Sequence, residues 1–167
     1  MDNNSYNKQK ANTLVEVILY MAITAILAIA ITSFLSALLS SRSRFETVQA
    51  VDNEAVAILE VVNVYLRNAT TITALGSGSS ANFITFDSKV ASANPVTISV
   101  SGNTLQLREG AAGPFINLNS SNTSISAVLF TNVSQNDLLM PSIRLSFSLT
   151  SDGGDYTQNY YETVNTY

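Results

Sequence analysis

Residues 17–41 read VILYMAITAILAIAITSFLSALLSS, a run that contains no charged residue, no proline and no glycine. The hydrocarbon core of a bilayer is about 30 Å thick, so a helix crosses it with about 20 apolar residues. The hydroxyls within the run can bond to carbonyls of the preceding turn, which makes Thr24, Thr32, Ser33 and Ser36 compatible with a span. The run therefore predicts a membrane-spanning helix.

A secretory signal peptide is the main alternative for this run. The apolar core of such a peptide usually covers about 7–15 residues and ends at a small-residue cleavage site. This run is longer, and it continues into a second helical pattern without an intervening turn. Lys8 and Lys10 precede the run and Arg42 and Arg44 follow it, so the positive-inside rule alone leaves the orientation open.

The composition argues against several classes of function. The 167 residues include neither cysteine nor histidine, which removes disulfides, thiolate nucleophiles, serine triads and histidine-based metal centres. The net charge of −4 leaves no basic face for phosphates, so no direct nucleic-acid binding is expected. We therefore expect a protein that is not an enzyme and has no cofactor.

Residues 10–16, KANTLVE, place a carboxylate at the start of the apolar run. A charge at the centre of a membrane helix costs about 2.5–3.5 kcal/mol, and less near the interface. Glu16 could simply lie at the headgroup boundary, where a carboxylate interacts favourably with the helix N-terminus. The pattern as a whole has a second interpretation.

A short leader with two lysines, a small residue, and then Thr-Leu-Val-Glu before an apolar helix resembles the class III signal of type IV pilins and pseudopilins. This resemblance implies cleavage by a prepilin peptidase between Ala11 and Asn12, and methylation of the new amino group of Asn12. The chain departs from the usual family form in having Ala11 for glycine and Asn12 for phenylalanine. The positions that match the family motif are Thr13, Leu14, Val15 and Glu16.

The resemblance also implies an arrangement of the molecule. Residues 1–11 would be a leader peptide, 12–41 the transmembrane and assembly helix, 42–75 the amphipathic second half of that helix, and 76–167 an extracytoplasmic domain. The N-terminus would be cytoplasmic. In the family, the carboxylate at the position of Glu16 faces the N-terminus of a neighbouring subunit, which would set the register of assembly. The step Leu66, Arg67 and Ala69 is similar to the helix end of minor pilins of the PilW and pseudopilin J type.

The segment after Arg44 has the periodicity of one buried helix stripe. Its apolar residues recur at spacings of three and four, as expected for an amphipathic helix. They are Phe45, Val48, Val51, Ala55, Ile58, Leu59, Val62, Leu66 and Ala69. No residue breaks this pattern, so we predict one continuous helix from Leu14 to Ala69, with Gly76–Ser80 as a helix stop and flexible joint.

The remainder alternates between apolar and polar residues over short segments, which predicts strands. The alternating apolar residues are Ile84/Phe86, Val96/Ile98/Val100, Leu105/Leu107, Val128/Phe130 and Ile143/Leu145/Phe147/Leu149. Ser101-Gly102-Asn103 indicates a hairpin turn. We predict an α+β, pilin-like fold in which an antiparallel sheet packs one face on the helix stripe.

Two features of this domain have more than one interpretation. Asp152-Gly153-Gly154-Asp155 offers carboxylates of Asp152 and Asp155 beside flexible glycines, which would suit Ca²⁺, although such a turn needs no metal and no metal site is predicted. The Ser/Thr/Asn-rich stretches 117–126 and 131–136 are predicted to be solvated loops. They could instead present hydrogen-bonding groups to a receptor, or carry sugars, since Asn122-Thr123-Ser124 and Asn132-Val133-Ser134 fit the sequon pattern.

The favoured function is that of a structural, minor pilin-like subunit of a type IV pilus, a competence filament or a type II secretion-like filament. Its expected partners are other pilin-like subunits, the prepilin peptidase, the inner-membrane assembly platform and, before assembly, membrane lipid. A single-span adhesin or binding module that does not polymerise is the alternative. A third hypothesis, an enzyme using Asp87, Asp152 and Asp155, lacks a distinctive pair of carboxylates.

Overall fold

The computed structural model describes residues 4–134 and 141–166. Within these ranges one helix, α1 (Asn4–Arg67), precedes all the strands. The chain divides into two compact units, Met1–Glu46 and Thr47–Tyr167. The first unit is entirely helical in its described part, and the second contains the end of α1 and every strand.

The strands form two antiparallel sheets. The first sheet has the order β1-β3-β4-β5-β6, and the second has the order β2-β7-β8-β9. The strands are β1 (Ala69–Ile72), β2 (Ser80–Ala81), β3 (Phe83–Ser88), β4 (Val96–Ser101), β5 (Thr104–Glu109), β6 (Phe115–Asn117), β7 (Thr123–Asn132), β8 (Ser142–Ser151) and β9 (Thr157–Asn165). A short 3₁₀ helix, Ala91–Ala93, lies between β3 and β4. The α+β class is thus confirmed, but two sheets replace the single predicted one.

The second half of α1 packs on both sheets through the predicted stripe. Its buried members are Val51, Ala55, Ile58, Val62 and Leu66. They belong to one apolar cluster with the inward side chains of β3, β4, β5, β7 and β8. Burial of such a side chain contributes about 1.5–3 kcal/mol, so this stripe accounts for much of the docking of the helix.

The stripe differs from the prediction at both ends. Phe45 is exposed, in the first unit. Helix α1 ends at Arg67 rather than at residue 75, and Ala69 is buried in β1, not in the helix. The backbone of β1 pairs with β3, and the run Ala-Thr-Thr-Ile has the β-branched composition that favours a strand over a helix.

The predicted hairpin between β4 and β5 is confirmed. Ser101 pairs with Thr104, which leaves Gly102 and Asn103 as a two-residue turn. Gly102 has φ of 59° at the first turn position, a conformation that residues with a Cβ rarely adopt.

Stretches predicted to be solvated loops contain structure. Strand β7 covers Thr123–Asn132, and within the stretches 117–126 and 131–134 Asn119 and Asn132 are buried; residues 135 and 136 lie outside the described residues. Their amide groups replace water as hydrogen-bond partners for the backbone. The prediction of a solvated loop is therefore wrong at Asn119 and Asn132, whereas residues 120–122 are exposed as expected.

Candidate functional site

The predicted processing motif lies on the helical part of the first unit. The backbone of α1 includes Ala11 and Asn12, but their side chains lie outside the described part of the chain. From Thr13 to Glu16 every residue is exposed. The motif is therefore presented on the surface of the helix and is not packed against any described part of its own unit.

Glu16 accepts a hydrogen bond from a side chain one turn further along the helix. The hydroxyl of Tyr20 donates a hydrogen bond to Oε1 of Glu16 at 3.1 Å. This spacing of four residues places the two side chains next to each other on one face of the helix. An ionised carboxylate accepts several hydrogen bonds, so the single phenol leaves capacity for a further donor. The sequence motif indicates Glu16, whereas nothing in the motif indicates Tyr20.

Two hydroxyl groups of the apolar run bond to carbonyls of the preceding turn, as predicted. Thr24 donates to the carbonyl of Tyr20 at 2.7 Å, and Thr32 donates to the carbonyl of Ala28. α1 is long and apolar enough to cross a membrane, and none of its most apolar stretch is buried within the chain. The large apolar side chains from Leu14 to Leu39 are accordingly exposed. Such a surface requires lipid or other helices as its environment.

In the second unit, polar side chains of α1 hold the helix to the strands. Asn63 donates to Oε1 of Glu162 in β9 at 2.9 Å, and the Tyr160 hydroxyl, also in β9, donates to Oδ1 of Asp52. Burial, together with the hydrogen bond and the charge of Asp52, raises the pKa of Tyr160 because each favours the neutral phenol.

Two further contacts connect α1 to the first sheet and to the segment that follows it. The hydroxyl of Tyr65 donates to Oε1 of Glu109 in β5 at 2.7 Å, and this hydrogen bond is the main cause of the raised pKa of Tyr65. Glu54 accepts from the backbone N–H of Ser120 and from its hydroxyl at 3.1 Å. None of these four contacts was predicted, because each joins residues that are distant in sequence.

Asn119 joins the two sheets where the chain passes from β6 to β7. Its Oδ1 accepts the N–H of Leu105 in β5 at 2.8 Å, and its Nδ2 donates to the carbonyl of Thr123 in β7 at 3.0 Å. Weaker contacts of Nδ2 at 3.3 Å reach the carbonyls of Asn103 and Ser120. The side chain thus satisfies buried backbone groups of both sheets at once.

The carboxylates considered for metal or catalysis lie in different places. Asp152 and Asp155 lie in the turn between β8 and β9, while Asp87 lies in β3 of the other sheet. Backbone hydrogen bonds close this turn, among them Gly154 N–H to the Ser151 carbonyl at 2.8 Å. Within the described residues, no three or more Asp or Glu side chains form a group that could hold a metal ion.

Comparison with known protein families finds a match near the start of the chain. Residues 6–32 match the model of the prokaryotic N-terminal methylation motif, a range that includes the proposed cleavage site, Glu16, Tyr20 and much of the apolar run. No curated protein and no solved structure matches the chain. The chain therefore carries a prepilin-type signal on a long apolar helix, which supports a structural subunit of the type IV pilin and pseudopilin kind rather than an enzyme.

Proposed function

We propose that this protein is a minor pilin-like subunit that is incorporated through α1 into a type IV pilus, a competence filament or a type II secretion-like filament. The observation that carries the proposal is the methylation-motif match over residues 6–32, which ends within a helix whose apolar side chains are exposed. The apolar surface supports residence of the subunit in the membrane before assembly. The motif supports processing of the subunit for transfer from the membrane into a filament.

The first step is processing. The prepilin peptidase cleaves between Ala11 and Asn12 on the cytoplasmic side and the new amino group of Asn12 is methylated. The N-terminus then remains cytoplasmic, and the compact second unit, Thr47–Tyr167, lies outside the cytoplasm. The flanking charges do not decide this orientation, because Lys8 and Lys10 on one side are balanced by Arg42 and Arg44 on the other. The methylation motif supports it, since the peptidase that processes such a signal acts on the cytoplasmic side.

The second step is transfer of α1 from lipid into a bundle of subunits. Its partners are other pilin-like subunits and the inner-membrane assembly platform. Exchanging lipid tails for apolar helices is nearly neutral in hydrophobic terms, so packing and polar contacts decide the outcome. Glu16 supplies the polar contact: its carboxylate pairs with the amino group of a neighbour's processed N-terminus and fixes the axial register.

Before assembly, Tyr20 is the hydrogen-bond partner of Glu16. In the isolated helix its hydroxyl at 3.1 Å partly satisfies Glu16, which lowers the cost of the carboxylate in the membrane. In the bundle, a cationic amino group is the stronger partner because a charge-assisted hydrogen bond is about twice as strong as a neutral one. The Glu16 carboxylate therefore exchanges a weaker hydrogen bond for a stronger one on assembly, and it is not left without a partner beforehand.

We further propose a minor, tip-associated position, because the helix end is similar to that of minor pilins of the PilW and pseudopilin J type. Leu66 is buried, Arg67 closes α1, and Ala69 opens β1 directly afterwards. This abrupt step from helix to sheet supports the similarity noted for that segment, and a low copy number in purified filaments is its expected consequence.

Mass spectrometry of the mature N-terminus tests the proposal. The full chain is expressed in cells with and without a prepilin peptidase, with Ala11→Leu as a control whose bulk blocks cleavage. We expect a chain that begins at N-methylated Asn12 only for the wild type with the peptidase. An intact leader in wild-type cells that carry active peptidase would refute the proposal and favour a single-span binding module that does not polymerise.

A further inference from the structure

The outward face of the second sheet has an unusual charge pattern for an acidic protein. This outer face consists of alternate residues of β8, from Ser142 to Thr150, with their cross-strand partners on β7 and β9. Serine, threonine and asparagine dominate it. Within β7, β8 and β9 the only charged residue on this face is Arg144, because Glu162 pairs with the inward Leu145 and contacts Asn63 of α1.

Most of the cross-strand rows on the outer face satisfy their own polar groups. Ser142 donates to Asn165 at 2.7 Å and Ser148 donates to Asn159 at 2.6 Å, while the hydroxyls of Thr150 and Thr157 lie 3.0 Å apart. These rows form a regular polar lattice that holds β8 and β9 together. They leave few hydrogen-bonding groups for a ligand.

The central row is different. Register aligns Leu129 of β7 with Ser146 of β8, and Ser146 with Tyr161 of β9. The hydroxyls of Ser146 and Tyr161 make no hydrogen bond within the described part of the chain, and the Tyr161 side chain is 79% exposed. Adjacent strands are about 4.8 Å apart, so Leu129 and Tyr161 flank the small Ser146 across about 10 Å.

Arg144 lies in the neighbouring cross-strand row of the outer face, two residues before Ser146 on β8. Its Nε reaches the Thr163 hydroxyl at 3.5 Å, the limit of a hydrogen bond, and it forms no ion pair with any described residue. A guanidinium group carries five N–H donors in a fork that matches a carboxylate. Arg144 therefore offers a cation without a built-in counter-ion beside an exposed aromatic ring and free hydroxyls.

We propose that the row Leu129–Ser146–Tyr161, together with Arg144, binds a glycan that contains one acidic sugar. The face of the tyrosine ring packs against the C–H face of a pyranose ring, Ser146 and the phenol bond its hydroxyls, and Arg144 pairs with a sugar carboxylate. Charge decides between possible partners: nucleic acids and anionic membranes need several cations, and this face has one on a chain of net charge −4.

The test uses the full chain in phosphatidylcholine nanodiscs, since alkyl-glycoside detergents would compete for a sugar site. The probe is 3′-sialyllactose, which carries a single carboxylate to match the single guanidinium, and its methyl ester is the matched neutral control. We expect the ester to bind about tenfold more weakly, equivalent to about 1.4 kcal/mol. Calorimetry measures both affinities, and thermal unfolding checks that each variant is intact.

Four variants separate the contributions. Arg144→Gln should lower binding of the acid to the level of the ester, whereas Arg67→Gln, which removes an exposed arginine at the end of α1, should have no effect. Tyr161→Ala should weaken both probes by about tenfold or more, whereas Tyr161→Phe should retain most of the binding. Because Tyr161 and Arg144 are exposed, none of these changes removes a core contact.

Several outcomes would overturn this inference. They are no binding of 3′-sialyllactose at millimolar concentration, equal effects of the two arginine variants, or preferential binding of a single-stranded oligothymidylate or of phosphatidylglycerol nanodiscs. The inference does not depend on leader cleavage or on filament assembly. Its failure would therefore leave the processing experiment and the proposed subunit role unaffected.

Discussion

Replacing Asn119 by aspartate tests the junction between the two sheets with almost no change in shape. One carboxylate oxygen can still accept the Leu105 N–H, which donates to Oδ1 at 2.8 Å. The other oxygen replaces the Nδ2 that donates to the Thr123 carbonyl at 3.0 Å, so an acceptor faces an acceptor in a site that is 6% exposed. We expect Asn119→Asp to lose stability through repulsion and through burial of a charge.

The magnitude follows from the contacts. Losing one buried hydrogen bond and leaving a carbonyl unsatisfied costs about 1–3 kcal/mol, and an unpaired buried charge adds to this. We expect a loss of about 3 kcal/mol at pH 7, or roughly 10 °C in the unfolding temperature. Asn119→Ala, which removes both contacts without adding charge, should lose a similar amount at every pH.

The pH dependence separates charge from a general packing defect. Burial and the facing carbonyls should raise the pKa of the new carboxyl group in the folded state above its ordinary value of about 3.9. The protonated group can donate to Thr123, so this stabilisation is complete below the unfolded-state pKa and is lost as the pH rises through the folded-state pKa. The variant should therefore recover part of its stability between pH 7 and pH 4.

Thermal unfolding of the full chain in nanodiscs, followed by tyrosine circular dichroism, measures both effects. Asn122→Asp is the matched control, because Asn122 is exposed in the same connection and gains the same charge. An Asn119→Asp variant as stable as Asn122→Asp at pH 7 would refute the role of Asn119, and a loss independent of pH would refute the electrostatic reasoning.

Three further predictions concern α1 and its contacts. Tyr160→Phe removes the hydrogen bond to the helix and should cost about 1–2 kcal/mol of stability at pH 7. Because the pKa of Tyr160 is raised in the folded state, the stability that this hydroxyl contributes is complete below the ordinary value of 10.0 and is lost as the pH rises towards the folded-state pKa. In urea unfolding, the stability of the variant should therefore fall less steeply at alkaline pH than that of the wild type. Leu66→Ala should cost about 2–5 kcal/mol in the same assay, whereas the exposed Val64→Ala should change stability by less than about 0.5 kcal/mol; equal losses would contradict the assigned buried face. Glu16→Gln should lower incorporation into sheared surface filaments by about tenfold or more, equivalent to about 1.4 kcal/mol. Tyr20→Phe should assemble at least as well as the wild type, since loss of the phenol destabilises only the unassembled subunit in the membrane. Normal assembly of the Glu16→Gln variant would exclude a role of Glu16 in setting the register.

The helix and most inward strand residues could be predicted because their signals are local. The spacing of Val51, Ala55, Ile58, Val62 and Leu66 requires only the helical period, and all five are buried. Alternation likewise predicted the buried side chains of β3, β4, β5 and β8. The processing motif is also local, since KANTLVE is contiguous and the comparison found the same segment.

What the sequence analysis missed depends on contacts between distant segments. Ala69 continues the helical spacing, yet pairing with Ser88 places it in a strand. Asn119 and Asn132 have the composition of solvated loops, and only the backbone groups around them show that they are buried partners. The contact between Tyr160 and Asp52 could not be predicted, because neither residue carries a signal about the other.

The position of β9 has a consequence for how the subunit is made. The residues of α1 that bond to β9, Asp52 and Asn63, find their partners 108 and 99 residues later in the chain. During synthesis the helix emerges first, and these contacts can form only after nearly the whole domain has followed. We therefore expect a chain truncated before β9 to keep its membrane helix but to leave the domain incompletely closed, open to proteolysis.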